Sequence, residues 1–160
     1  MRALDHRDPG ILGIILDCDD LYAEAICDGV HVHPALIRLW LKMKGHQRAV
    51  LVTDGMSATG MPDGTYTLGD FPVDVRNGTC LSNGALAGSV LTMDRAVANL
   101  QSFTGASLAT AVRLASRNPA QMLGMPYLGQ ITPGQPANFN LYDEANHLCG
   151  SILKGQRILR

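Results

Sequence analysis

A strand, a helix and a second strand fit inside residues 22–53, and that order constrains the fold of this 160-residue chain more than any other feature. Tyr22-Ala-Glu-Ala-Ile-Cys27 is a short β-forming run, and Ala49-Val-Leu-Val-Thr53 is a second. Between them Leu36, Ile37, Trp40, Leu41 and Met43 give a broad apolar helical face, with Arg38 and Lys42 four residues apart on the polar side. Pro34 suits the first turn of that helix, and Gly45 is placed to end it. A strand–helix–strand unit of this size makes parallel strands joined by a right-handed crossover. The two strand ends, at Asp28–His31 and at Asp54, should therefore share one rim.

The second strand runs straight into Asp54-Gly-Met-Ser-Ala-Thr-Gly60. A buried parallel strand delivers a carboxylate to the open end of an α/β sheet or barrel in this way. Partly desolvated there, Asp54 could act as a general acid or base. Aspartate at a strand end also caps loops, and the spacing leaves both readings open. His31 and His33 alternate in extended chain, so only one of them can face the rim. His33 reads as a residue of the helix N-cap region ahead of Pro34, whereas His31 projects from the strand end nearest Asp54. Arg7, in a loop with Pro9 and Gly10, is either an anion clamp or a surface arginine. Leu86-Ala-Gly88-Ser89 precedes a helix and could turn backbone N–H groups toward a ligand.

The remaining segments alternate in type. Residues 1–20 show no clear period, and Gly13 interrupts the apolar Ile11–Leu16. Pro62-Asp-Gly64 and Asn77-Gly78 are turn signals around Tyr66–Leu68, Phe71–Val75 and Thr79–Leu81, which read as short antiparallel strands. Helical spacing returns from Leu91 to Phe103, with Gly105 as a stop. Ser107 is placed to cap a helix running to about Ser116, and Ala120–Leu123 adds a turn beyond Asn118-Pro119. After the turn-rich Gly129–Gly134, Asn138–Tyr142 and Ile152–Leu159 are short β segments, the second turning at Gly155.

Hydrophobic residues make up 46% and charged residues 17%, the balance of a core-forming globular chain rather than a disordered one. A formal net charge of -1 gives no reason to expect nucleic acid or an acidic membrane surface as partner. No apolar run approaches the roughly 18 residues of a membrane span. The N-terminal stretch is too polar for a signal peptide. Cys18, Cys27, Cys80 and Cys149 form no C-x-x-C pair, which fits small core residues in a reduced cytoplasmic protein.

Six stretches carry a family resemblance: His6–Gly10, Asp28–Pro34, Leu51–Gly60, Leu86–Asp94, Asn118–Gly124 and Gly129–Gly134. In that order they resemble the N-acetylglucosamine-6-phosphate deacetylase family of the amidohydrolase superfamily. The resemblance implies an α/β fold, the C-terminal part of a metal-dependent (β/α)8 barrel with about three of its eight strands. Residues 1–128 would belong to the barrel, with a β-hairpin excursion at about 62–82. Residues 129–160 would form the C-terminal segment of a small β-sandwich domain. The implied reaction is hydrolysis of the acetamide of N-acetylglucosamine 6-phosphate to glucosamine 6-phosphate and acetate.

Asp54 matches the family's catalytic aspartate, which takes a proton from a metal-bound water and returns one to the leaving amine. Asp28, Gly29, Val30 and His31 match a substrate-binding segment, Arg7 a phosphate-contacting arginine, and Leu86, Ala87 and Gly88 a backbone segment lining the sugar. The resemblance also implies a divalent metal, zinc or similar, held by a glutamate and two histidines on earlier strands that this chain lacks. It implies a phosphosugar partner, a homodimer at full length, and no nucleic acid or membrane. Gly55 stands where alanine is usual, and Asn138 where aspartate is usual. The chain alone is then expected to be inactive. The alternatives are another amidohydrolase, dihydroorotase-like or a deaminase, and a non-catalytic fragment.

Overall fold

A computed structural model describes residues 4–158, so Leu159, the last position of the final β segment expected from sequence, lies outside it. In chain order the elements are α1 (Gly10–Asp17), β1 (Ala23–Ile26), α2 (Pro34–Arg48), β2 (Ala49–Val52), β3 (Gly64–Leu68), β4 (Phe71–Arg76), β5 (Thr79–Ser82) and β6 (Ala85–Leu86). Then follow α3 (Met93–Thr104), α4 (Leu108–Ala115), α5 (Arg117–Met122), β7 (Phe139–Tyr142), β8 (Leu148–Leu153) and β9 (Gln156–Ile158).

β1 and β2 pair in parallel, from Ala23 opposite Ala49 to Ile26 opposite Val52. Strand alternation sends Ala23, Ala25, Cys27, Ala49 and Leu51 into one apolar core with Ile37 and Trp40 of α2. The same core takes Ala96, Val97 and Leu100 of α3 and Ala111 and Leu114 of α4. Trp40 Nε1 donates to the Ala23 carbonyl at 3.1 Å, pinning α2 to the start of β1. The fully buried Asn118 does the same for α5, its Nδ2 donating to the carbonyls of Ala49 at 2.7 Å and His46 at 3.0 Å. Gly45 interrupts α2 with φ 60° and ψ -170°, so the helical path breaks where the sequence places a stop and resumes for a last turn.

The excursion is a four-stranded antiparallel sheet in the order β3-β4-β5-β6, reaching Leu86. Val73, Val75 and Cys80 on its inner face close over Met56 and Ala58 of the loop after β2. β7, β8 and β9 form a separate antiparallel sheet, and β8 begins at Leu148, four residues earlier than its sequence signal. α1 departs from expectation too. A Cβ at Gly13 would lie 2.3 Å from Pro9 Cβ, so this glycine lets a helix pass the proline ring instead of breaking it. No helix among the described residues is long and apolar enough to cross a membrane.

Candidate functional site

The rim is built from three chain segments that leave the core at the same end. Ile26 pairs with Val52, so Asp28 and Asp54 each lie two residues beyond the last paired position, on neighbouring strands. The third segment is Leu86–Leu91, joined to the second by a single parallel bridge between Gly55 and Ser89. The Ser89 amide donates to the Asp54 carbonyl at 3.0 Å, and the Met56 amide donates to the Ser89 carbonyl at 2.9 Å. Where a third parallel strand is expected, the backbone makes this one bridge and no regular ladder.

After Cys27 the chain turns sharply around Asp28. Asp28 Oδ1 accepts from the amides of Val30 and His31, both at 2.9 Å, and Oδ2 lies 2.6 Å from His31 Nδ1. Both side chains are largely covered, 11% exposed for Asp28 and 18% for His31. Burial pushes the Asp28 carboxyl up, but the bonds from the His31 ring, the His31 amide and the Val30 amide outweigh it and hold the carboxyl below its ordinary range. With Asp28 ionised, His31 Nδ1 carries a proton and Nε2 is left for a ligand. Gly29 has φ 78°, and a Cβ there would sit 3.2 Å from Phe103 Cζ of α3, so the turn rests on that ring. Asn99 Nδ2 of α3 also holds the Cys27 carbonyl, at 2.9 Å. The Cys27 thiol, buried and next to the Asp28 charge, is pushed up to about 12 and stays protonated. His33 accepts from the Ala35 amide at 3.2 Å as the N-cap of α2, away from ligand chemistry.

Asp54 departs from expectation in one respect. It is exposed, where a partly desolvated carboxylate was expected. Of the two neighbouring segments, 86–91 is the one bonded to its backbone, through the Ser89 amide. The Asp54 backbone has φ 49°, a left-handed conformation that aspartate tolerates better than most side chains and that Asn77, Asn83, Asn146 and Lys154 also adopt between strands. The loop behind it is firmly tied. Thr53 Oγ1 accepts from the Gly55 amide at 3.3 Å, and Thr59 Oγ1 donates to the Met56 carbonyl at 2.8 Å. A Cβ at Gly55 would stand 2.9 Å from Thr59 Oγ1, so alanine at this position would require that hydroxyl to move.

Gly88 has φ 69°, and a Cβ there would press to 3.3 Å on Met56 Cβ. The close approach of Leu86, Ala87 and Gly88 to the Asp54 loop therefore needs the glycine. Leu86 is exposed, while Ala87 and Gly88 are half-buried. Val30 is exposed at the tip of the Asp28 turn. Arg7 is exposed, and its amide donates to Asp5 Oδ1 at 2.8 Å. Among the described residues no hydrogen bond links its guanidinium to the rim.

The donor set does not fit a complete metal site. Among the described residues no three His, Cys, Asp or Glu side chains converge, and Asp54 could offer a cation one carboxylate only. Composition and periodicity gave no sign of the Asp28–His31 pair, although an aspartate three residues before a histidine in a glycine turn is its signature.

Residues 22–156 match the amidohydrolase family. N-acetylglucosamine-6-phosphate deacetylase of Lysinibacillus sphaericus is 43% identical over 157 residues, covering 98% of this chain and 41% of that protein. A protein of Escherichia coli K12, provisionally named N-acetylgalactosamine-6-phosphate deacetylase, is 41% identical, covering 98% of this chain and 94% of its own length. The crystallised N-acetyl-D-glucosamine-6-phosphate deacetylase of Mycobacterium smegmatis, an aspartate-to-alanine variant in complex with N-acetyl-D-glucosamine-6-phosphate, superposes with a TM-score of 0.93 at 34% identity. That likeness covers 100% of this chain and 43% of that one. Against two of these three relatives the chain spans about two fifths of the length.

Proposed function

We propose a function from one premise: this chain belongs to the amidohydrolase family. Its rim is the acid/base and phosphosugar-binding part of a cytoplasmic deacetylase acting on an N-acetylhexosamine 6-phosphate, with N-acetylglucosamine 6-phosphate as the first reading. The observation that carries this is the register that sets Asp54 beside the Asp28–His31 turn on one rim. Asp54 takes the proton of the attacking water and returns it to the amine nitrogen as the C–N bond breaks. His31, oriented through Nδ1 by the Asp28 carboxylate, offers Nε2 to a sugar or phosphate oxygen. The backbone of Leu86, Ala87 and Gly88 packs beside the loop and lines the sugar, and Arg7 supplies a cation for the phosphate. Val30 and Gly29 shape the turn that carries His31.

Amidohydrolases generally use a divalent metal, which would activate the water. The described residues do not complete a site for it. The remaining ligands are proposed to come from the portion of the longer relatives that this chain does not span, and the working enzyme is proposed to be a dimer.

A chimera tests the reading. Replace the matching stretch of about 157 residues in the Lysinibacillus sphaericus relative with this chain. The chimera is expected to release acetate from N-acetylglucosamine 6-phosphate, and Asp54→Asn within it is expected to cut the rate by at least about 100-fold, the low end for a general acid/base. A folded chimera with equal rates for both forms would reject Asp54 as the acid/base. A second reading, the C4 epimer N-acetylgalactosamine 6-phosphate, is favoured by the Escherichia coli K12 relative, which matches this chain in length. Running both sugars side by side decides between them by the ratio of kcat/KM.

A further inference from the structure

The opposite end of the strands carries a concave feature of its own. A cleft of about 580 Å³ opens where β1 and β2 begin, lined by Tyr22, Gln47, Arg48, Arg113 and Gln121 among others. No carboxylate among the described residues lines it. Asp54 lies six positions beyond Arg48, about 20 Å of extended chain at roughly 3.3 Å per residue, so this cleft is distinct from the rim.

Its two arginines are held in place by the fold. Arg113 Nε donates to Asn118 Oδ1 at 3.3 Å. Asn118 is fully buried, and its Nδ2 is committed to the Ala49 and His46 carbonyls. The amide is thus locked, and it fixes the Arg113 guanidinium from behind. The terminal nitrogens of Arg113 remain for a ligand. The Arg48 guanidinium lies over the Tyr22 ring, 4.8 Å from its centroid, a cation–π contact that restrains it. Planar guanidinium groups whose orientation is set in advance suit the oxygens of a tetrahedral oxyanion. Gln47 and Gln121 add side-chain amides that can donate as well.

We propose that this cleft binds a phosphate group, free or on a small phosphomonoester, between Arg48 and Arg113. Asn118 acts as the positioning residue for Arg113 and does not touch the ligand.

The test is chemical-shift mapping on the ¹⁵N-labelled chain, titrated separately with inorganic phosphate and with glucose 6-phosphate to about 10 mM. Sodium chloride of equal ionic strength is the control. Saturable shifts of the Gln47, Arg48, Gln121 and Gly124 amides are expected, reproduced by neither chloride nor an Arg113→Gln variant. Saturation by phosphate alone identifies the free ion as ligand, and saturation by both identifies the phosphate group. Shifts confined to residues 28–31 and 54–60, or no saturation, would overturn the proposal. So would an equal response to chloride. If Arg113→Gln loses the dispersed wild-type spectrum, Arg48→Gln takes its place, with at least a tenfold weaker response expected. Undiminished binding in that variant would also count against the cleft.

Discussion

Asp28 satisfies both carboxylate oxygens within four residues of chain, through the Val30 and His31 amides and the His31 ring. That closure explains how a short turn after β1, braced by Phe103 and Asn99 of α3, holds a histidine still. It also sets a pH dependence. The folded carboxyl is held below its ordinary range, so the turn's contribution is fully present above the unfolded value of about 3.9 and is lost as pH falls through the folded value. Asp28→Asn is expected to cost about 2 kcal/mol near neutrality, as for a hydrogen bond to a charged group. The gap between wild type and variant should narrow below about pH 4. Urea unfolding at a series of pH values from 3 to 7 measures this, and a constant gap would contradict the pairing. The role of this aspartate was invisible to periodicity, because a turn closed by its own side chain leaves no repeat. Asp54 was legible as a strand-end carboxylate. Its left-handed backbone was not, since nothing in the neighbouring residue types demands it.

Among the elements, those with strong local signals follow the sequence closely. Asn77-Gly78, with φ 49° and 76°, makes the tight turn between β4 and β5 that Asn-Gly advertises. Ser107 caps α4 by accepting from the Thr110 amide at 3.2 Å, and Gly105 ends α3 in the left-handed region. The elements that escaped are those whose reason is tertiary. α1 exists because Gly13 clears Pro9 and because Lys44 of α2, itself buried, caps its end by donating to the carbonyls of Ile15 and Cys18. No local pattern in residues 10–17 contains that information. Asn118 is the clearest case of an element held by one side chain. Asn118→Ala would leave the Ala49 and His46 carbonyls without this donor and free Arg113. A loss of about 2–3 kcal/mol is expected, which lowers a urea midpoint by about 1 M or more. A midpoint within error of wild type would show that α5 is not fastened to β2 through this amide.

At the scale of the molecule, helix-backed parallel strands, an antiparallel excursion and a terminal antiparallel sheet are joined around a rim that only one side of the chain supplies. β1 and β2 pair with each other, and beyond them the third segment contributes a single bridge. The α/β class and the shared rim were legible because apolar spacing and strand ends report them directly. The exposure of Asp54 was not, because burial depends on what covers a strand end rather than on the strand itself. On the proposed function, that arrangement separates binding from turnover. The Asp28–His31 turn and the 86–91 backbone are complete within this chain, whereas no three metal-ligating side chains converge among its described residues. A general base can accept a proton from water, but without a metal to activate that water the amide lacks a strong nucleophile. The 160-residue chain by itself is therefore expected to release no acetate from N-acetylglucosamine 6-phosphate above the buffer rate, with or without added zinc. The same preparation should still show shifts of the residue 28–31 amides when the sugar phosphate is added, and smaller ones with the unphosphorylated sugar. Zinc-dependent acetate production that disappears in Asp54→Asn would refute the division of labour, since the chain would then hold the metal itself. Silence of the rim amides toward both sugars would refute the other half, that phosphosugar recognition is carried by the segments described.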